Sequence, residues 1–190
     1  MNLEKTSFGG ILLHSSQGNF AVNGGGSMEE MEIGYQLSEQ PLRGLILTAE
    51  HLQRSLNVSE FANRFGIPVL ISTATWAVLG KKFDRPVLFS PPCTVVFEGL
   101  SVEFHFLRYD SIDPVYLIVH DQGDSIGIVP DGKLTEHTAE PLKKCSAVCL
   151  DKRPLFMAGF PTALKKRMRS ITNTPEDIDR LFPDNHPVIL

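Results

Sequence analysis

The chain has 190 residues, of which 42% are hydrophobic and 21% charged, and a formal charge of -4. These are the values of an ordinary soluble globular chain of one domain, or one domain with a small extension, and they give no general pull toward polyanions. No apolar run reaches the ~18 residues of a membrane span, so no membrane association is expected.

The first ten residues carry Glu4 and Lys5 and lack an apolar signal core, so a secretory leader is not expected. The turn Asn23-Gly24-Gly25-Gly26-Ser27 comes next. The first clear unit starts at Gly44-Leu45-Ile46-Leu47-Thr48, a buried strand by its apolar run. A helix follows over Val58 to Phe65. Asn57 is its expected N-cap, Glu60 completes a capping box, Leu56 forms a staple on Phe61, and Gly66 stops it. Ile67 to Ile71 reads as a second strand, and strand–helix–strand implies a right-handed parallel crossover. A short helix is predicted from Thr73 to Leu79.

The middle of the chain reads as two hairpins. One joins Cys93–Phe97 to Ser101–Phe106, the other Val115–Val119 to Ser125–Val129. In the first, Val102, Phe104 and Phe106 face one way, and Glu103 and His105 the other. His105 is therefore read as a sheet-packing residue rather than a ligand. Ala147–Leu150 is a further strand and Pro161–Ser170 a helix with Leu164 and Met168 on its apolar side. The cysteines, Cys93, Cys145 and Cys149, are odd in number and include no C-x-x-C pair. They read as structural thiols in a reducing, cytoplasmic compartment. The predicted architecture is mixed α/β, with a main domain over residues 1–172 and a peripheral tail over 173–190.

The order of these elements and their local wording resemble the metallo-β-lactamase superfamily, in particular its small bacterial phosphodiesterase and exonuclease-like hydrolases. The likeness rests on Ser15-Ser16-Gln17-Gly18-Asn19-Phe20 and on Leu45-Ile46-Leu47-Thr48-Ala49-Glu50-His51, continuing to Phe65-Gly66-Ile67-Pro68-Val69. It continues through Asp110-Ser111-Ile112-Asp113-Pro114-Val115-Tyr116, Ser125-Ile126-Gly127-Ile128-Val129-Pro130-Asp131-Gly132 and Gly159-Phe160-Pro161. The resemblance implies an αββα sandwich with mixed sheets and a shortened C-terminal portion.

It also implies where metals would sit. The superfamily strand ends in Thr-His-x-His-x-Asp-His, whose imidazoles and carboxylate hold two cations and generate a hydroxide between them. The matching stretch here is Thr48-Ala49-Glu50-His51-Leu52-Gln53-Arg54. Ala49 and Arg54 replace histidines, Gln53 replaces the aspartate, and His51 is kept. Tyr109 stands where another histidine is expected, Asp131 matches the bridging aspartate, and His186 is not in a matching context. The metal candidates reduce to His51 and Asp131, enough for weakly bound zinc or manganese and short of a stable site. Arg54 is expected to take the place of the metal and pair with Asp131.

Three functions are consistent with this pattern. The first is a non-catalytic binding or regulatory protein whose old cleft, with Arg54, Tyr109 and Asp110, takes a small anionic ligand or a protein. The second is a divergent metal-dependent hydrolase of phosphodiesters with His51 as base and Asp131 as its orienter. The third is a nucleic-acid-binding protein using Lys152, Arg153, Lys165, Lys166, Arg167 and Arg169, which Glu176, Asp177 and Asp179 are placed to neutralise. The resemblance also admits a homodimer.

Overall fold

Short, β-branched and aromatic-rich segments near the start of the chain build the first of two sheets. The computed structural model describes residues 1–37, 39–150, 161–183 and 188–189. In it β1 (Asn2–Lys5), β2 (Ile11–Ser15) and β3 (Gly18–Val22) pair antiparallel. Asn23 leaves β3 at φ 63°, and Ser27 caps α1 (Met28–Gly34). The Ser27 hydroxyl accepts from the Glu30 amide while the Glu30 carboxylate accepts from the Ser27 amide, a reciprocal cap.

β4 (Leu42–Leu47), α2 (Leu52–Ser55), α3 (Val58–Arg64) and β5 (Val69–Ser72) follow. β4 lies parallel to both β3 and β5, as the strand–helix–strand reading requires. The C-terminal end of α3 is as expected. Gly66 sits at φ 63°, and the amides of Gly66 and Ile67 reach back to Asn63 and Ala62, which closes the helix in a Schellman turn.

The start of α3 departs from expectation. Asn57 is left-handed at φ 61° and makes no side-chain cap. Its amide nitrogen instead donates to the Gly26 carbonyl at 3.1 Å, so the side chain ties α3 to the glycine-rich turn rather than closing a capping box. Leu56 is exposed and does not act as a staple. α4 (Thr73–Val78), capped by the Ser72 hydroxyl, leads to β6 (Pro86–Phe89), which pairs parallel to β5.

The second sheet is built from the two predicted hairpins. β7 (Cys93–Phe97), β8 (Leu100–Phe106), β9 (Val115–Asp121) and β10 (Asp124–Val129) are antiparallel neighbours. After α5 (Glu136–Ala139) and a 3-10 turn at Leu142–Lys144, β11 (Ala147–Leu150) joins β10 in parallel. α6 (Thr162–Ile171) and α7 (Pro175–Leu181) precede β12 (Val188–Ile189), which adds to β11. Among the described residues the sheets run β1-β2-β3-β4-β5-β6 and β12-β11-β10-β9-β8-β7.

Three apolar clusters fix the layers. Phe20, Ile46 and Leu70 of the first sheet meet Val102, Phe104, Leu117 and Ile128 of the second, and Phe89 stacks on Phe104 at 3.8 Å. A side chain at Gly44 would place its Cβ 2.4 Å from the Phe97 ring, so glycine here is what lets the sheets close. Met31, Phe61 and Ala62 cover the outer face of the first sheet. Ala139, Leu142, Ile178, Leu181 and Phe182 cover the outer face of the second against Tyr116, Ile118 and Val148. The result is the αββα arrangement.

Two helices reverse their expected roles. α6 buries none of its side chains, and Leu164 is exposed. α7 lies in the segment read as a peripheral tail, yet it contributes Ile178 and Leu181 to the core, and Phe182 directly after it is buried with them. Thr174 caps α7 and Lys133 pairs with Asp177, so hydrogen bonds hold the helix where its apolar face can pack. No helix among the described residues is long and apolar enough to cross a membrane.

Candidate functional site

The C-terminal ends of β4 and β10 face one another, and the residues that follow them form the cleft. Behind β4, Asn23 organises the backbone: its Oδ1 accepts from the Thr48 amide at 3.0 Å and the Thr48 hydroxyl at 2.9 Å. The Tyr35 hydroxyl donates to the Asn23 carbonyl. Burial pushes the Tyr35 hydroxyl well above its ordinary 10, and the nearby Arg54 charge pulls it the other way. The folded state therefore holds this phenol neutral while the unfolded chain releases its proton above about pH 10. Stability is expected to be unaffected by this group below pH 10 and to fall above it by about 1.4 kcal/mol per pH unit. Urea unfolding between pH 9 and 11, with Tyr35→Phe as the control that removes this group's share of the slope, checks this; burial of Tyr116, Cys93 and Cys145 adds slope of its own.

Arg54 on α2 is the centre of the cleft and is 3% exposed. Its Nε and Nη2 donate to Asp131 Oδ2 at 3.0 and 2.6 Å. Nη2 also donates to the Pro130 carbonyl at 2.8 Å, and Nη1 to the Gly9 carbonyl at 2.6 Å. Its own carbonyl accepts from the Gly24 amide at 2.8 Å. These bonds use four of the five N–H donors that a guanidinium offers. The expected pairing with Asp131 is present. The expectation that Arg54 receives an anionic ligand is corrected, because an incoming anion would have to displace Asp131 and two carbonyls.

The remaining candidates divide. Tyr109 lines, with Thr48, Ala49, Arg54, Pro114 and Asp131, a cavity of about 10 Å³, at the limit of what holds one water. His51 lies edge-on to the Tyr109 ring, 5.2 Å between centroids, and its Nε2 is buried without a hydrogen-bond partner among the described residues. Asp110 points away and pairs with Arg167 of α6, so it is not part of the cleft, and that contact neutralises one charge of the basic helix. The neutralisation expected from Asp177 goes elsewhere, to Lys133 and Arg180. The Gln53 side chain, Lys152, Arg153, Gly159, Phe160 and His186 lie outside the described residues.

Sequence reasoning missed what closes the cleft. Glu50 accepts from the Ser111 hydroxyl and the Ile112 amide, and Asp113 accepts from the Ser72 hydroxyl at 3.1 Å, so the loop before β9 is fastened across the opening. The carbonyls of Gly9 and Pro130 carry no sequence signal, because any residue supplies a carbonyl. Asn23 carried a partial one, as a residue tolerant of positive φ ahead of three glycines.

The donor set does not fit a binuclear metal centre. Ala49 offers no ligand, and a fixed cation bonds the retained aspartate. Among the described residues, no group of three or more His, Cys, Asp and Glu side chains converges as it would on a bound ion.

Comparison with known proteins bears on the fold. No family model matches the chain. The chain is 21% identical over 145 residues to Exodeoxyribonuclease YycJ of Bacillus anthracis, a match that covers 71% of this chain and 55% of the relative. The Zn(2+)-bound PqqB of Methylobacterium extorquens superposes with a TM-score of 0.70 at 18% identity, over 95% of this chain and 73% of that one. YhfI of Bacillus subtilis, described as a metallo-beta-lactamase fold protein, superposes at 0.60 with 16% identity, over 77% and 63%. The chain thus spans little over half the length of the curated relative it matches.

Proposed function

We propose that this chain, which has the metallo-β-lactamase fold, works as a non-catalytic binding or regulatory protein on that scaffold. The observation that carries this reading is the Arg54 guanidinium, buried and bonded to Asp131, Pro130 and Gly9. A metal-bound hydroxide needs an open coordination position and ligands that tolerate a cation. Here a permanent cation takes the carboxylate, and about 10 Å³ of space is left beside it.

A second reading, a divergent metal-dependent hydrolase of phosphodiesters, has support of its own. The names of the similar proteins, an exodeoxyribonuclease and a zinc-bound protein among them, speak for hydrolase descent and not for a silent site. The Nε2 of His51, unpartnered among the described residues, is also the atom to which this reading would assign weakly held zinc or manganese. One experiment separates the two. The chain is purified without added metal, and its turnover of bis(4-nitrophenyl) phosphate and of single-stranded DNA is measured with and without zinc or manganese. The expected result is no turnover above buffer and no bound metal that depends on His51 or Asp131. Turnover that needs metal and disappears in His51→Ala would establish the hydrolase instead.

A further inference from the structure

A strand at the end of a sheet offers unpaired N–H and C=O groups to any other strand, and folded chains blunt such edges with charge, proline or shortness. Among the described residues the two sheets end in four strands, and three of them are blunted. β1 carries Glu4 and Lys5, and the Asn2 side chain takes the Leu3 amide. β6 opens on Pro86, which has no N–H, and β12 is two residues long. β7, Cys93-Thr94-Val95-Val96-Phe97, is five residues without a charge or a proline, and Val96 is 77% exposed. We propose that β7 pairs antiparallel with β7 of a second copy of this chain, joining the second sheets of two molecules into one.

The hairpin decides which backbone groups are on offer. Glu98 and Gly99 form its two-residue turn at φ 49° and 93°, so the flanking Phe97 and Leu100 are a hydrogen-bonded pair. Bonded and non-bonded pairs alternate along an antiparallel ladder. Val95 and Cys93 are therefore bonded to Val102 and Phe104 of β8, and the N–H and C=O of Thr94 and Val96 point outward. Two copies related by a twofold axis at Val95 set Thr94 of each opposite Val96 of the other. Each of those two pairs exchanges two hydrogen bonds. A register shifted by two residues either way brings Pro92, which lacks an N–H, or the left-handed turn residue Glu98 into the ladder.

The side chains suit the same register. Thr94 and Val96, both exposed, meet across the outer face, while Val95 meets its own copy on the face toward the core. No charge is set against a charge. Cys93 and Val95 pack against the inter-sheet core yet are only partly buried, and a second copy completes their burial. A twofold contact needs a patch that complements itself, which this uncharged strand does. A ladder of five residues covers less than the ~1,200 Å² of a standard interface, so the dimer forms reversibly.

The test is sedimentation of the whole chain from micromolar to millimolar concentration in the presence of a reductant. The mass is expected to rise toward that of two chains. No disulfide is needed, because this register separates the two Cys93 residues by four positions, about 13 Å along the strands, beyond the ~7 Å that a bridge spans. Thr94→Lys with Val96→Lys sets lysine against lysine twice and is expected to abolish the dimer. Thr94→Lys with Val96→Glu sets opposite charges in the same places and is expected to keep it. Val96→Pro removes two of the four bonds and should weaken association about tenfold. An edge strand tolerates proline where the N–H faces solvent, so circular dichroism should be unchanged. A chain that is monomeric at every concentration, or a dimer indifferent to the two lysines, overturns the proposal. So does a lysine–glutamate variant that dissociates as the two-lysine variant does. None of these outcomes bears on the reading of the cleft, to which β7 contributes no lining residue.

Discussion

Arg54→Ala is expected to destabilise the chain by about 3–5 kcal/mol, the range seen when one partner of a buried ion pair is removed. The side chains of Arg54 and Asp131 are 3% and 12% exposed, so water cannot replace the lost partner in full. The loss also leaves the Pro130 and Gly9 carbonyls without their guanidinium donors. For a chain of this size each kcal/mol lowers the melting temperature by about 2–4 °C. Arg54→Lys should recover little, because one ammonium cannot reproduce a planar fork that reaches a carboxylate and two carbonyls. Replacing both partners, Arg54→Met with Asp131→Leu, should recover more than either single change, since no buried charge is then left alone. Urea unfolding across this series, with Asp131→Leu alone included, checks it. A loss below about 1 kcal/mol in Arg54→Ala would show that the pair does not hold the cleft together.

Leu181→Ala should cost about 2–5 kcal/mol, and Phe182→Ala about 3–5 kcal/mol. Both residues belong to a segment whose mixture of acids and prolines reads as a solvated tail. They are nonetheless 1% and 5% exposed, packed with Ile178 on the outer face of the second sheet. Truncation is penalised both by lost transfer energy and by the cavity left among Tyr116, Leu134 and Leu142. Thermal melts of the two variants report the size of the effect. A change within about 0.5 kcal/mol in both, the range of an ordinary surface substitution, would return this segment to the surface.

The contrast between these two sites explains what the order of residues could reveal. Arg54 was legible because it stands inside a seven-residue stretch in which a cation replaces a ligand, and charge at a former metal position points to a carboxylate partner. α7 was not legible. Seven residues with two core-facing apolar positions, Ile178 and Leu181, carry too little periodicity to distinguish a packed helix from a tail, and only the third cluster of core residues shows which face is covered. Asn57 failed for a related reason: as a residue tolerant of left-handed backbone it suits two local structures, and the Gly26 carbonyl decided between them.

Sequence alone determined the strand–helix–strand unit, both hairpins and the loss of ligands at Ala49 and Arg54. Each of these follows from local periodicity, turn chemistry or the identity of a single side chain. Tertiary structure decided that the cleft is shut, that Asp110 turns to α6, and that Glu103, His105 and His120 meet across β8 and β9. Those facts depend on strand register and on carbonyls such as those of Gly9 and Pro130. Register relates residues far apart in the chain, and a carbonyl is common to every residue, so neither leaves a mark in the order of amino acids.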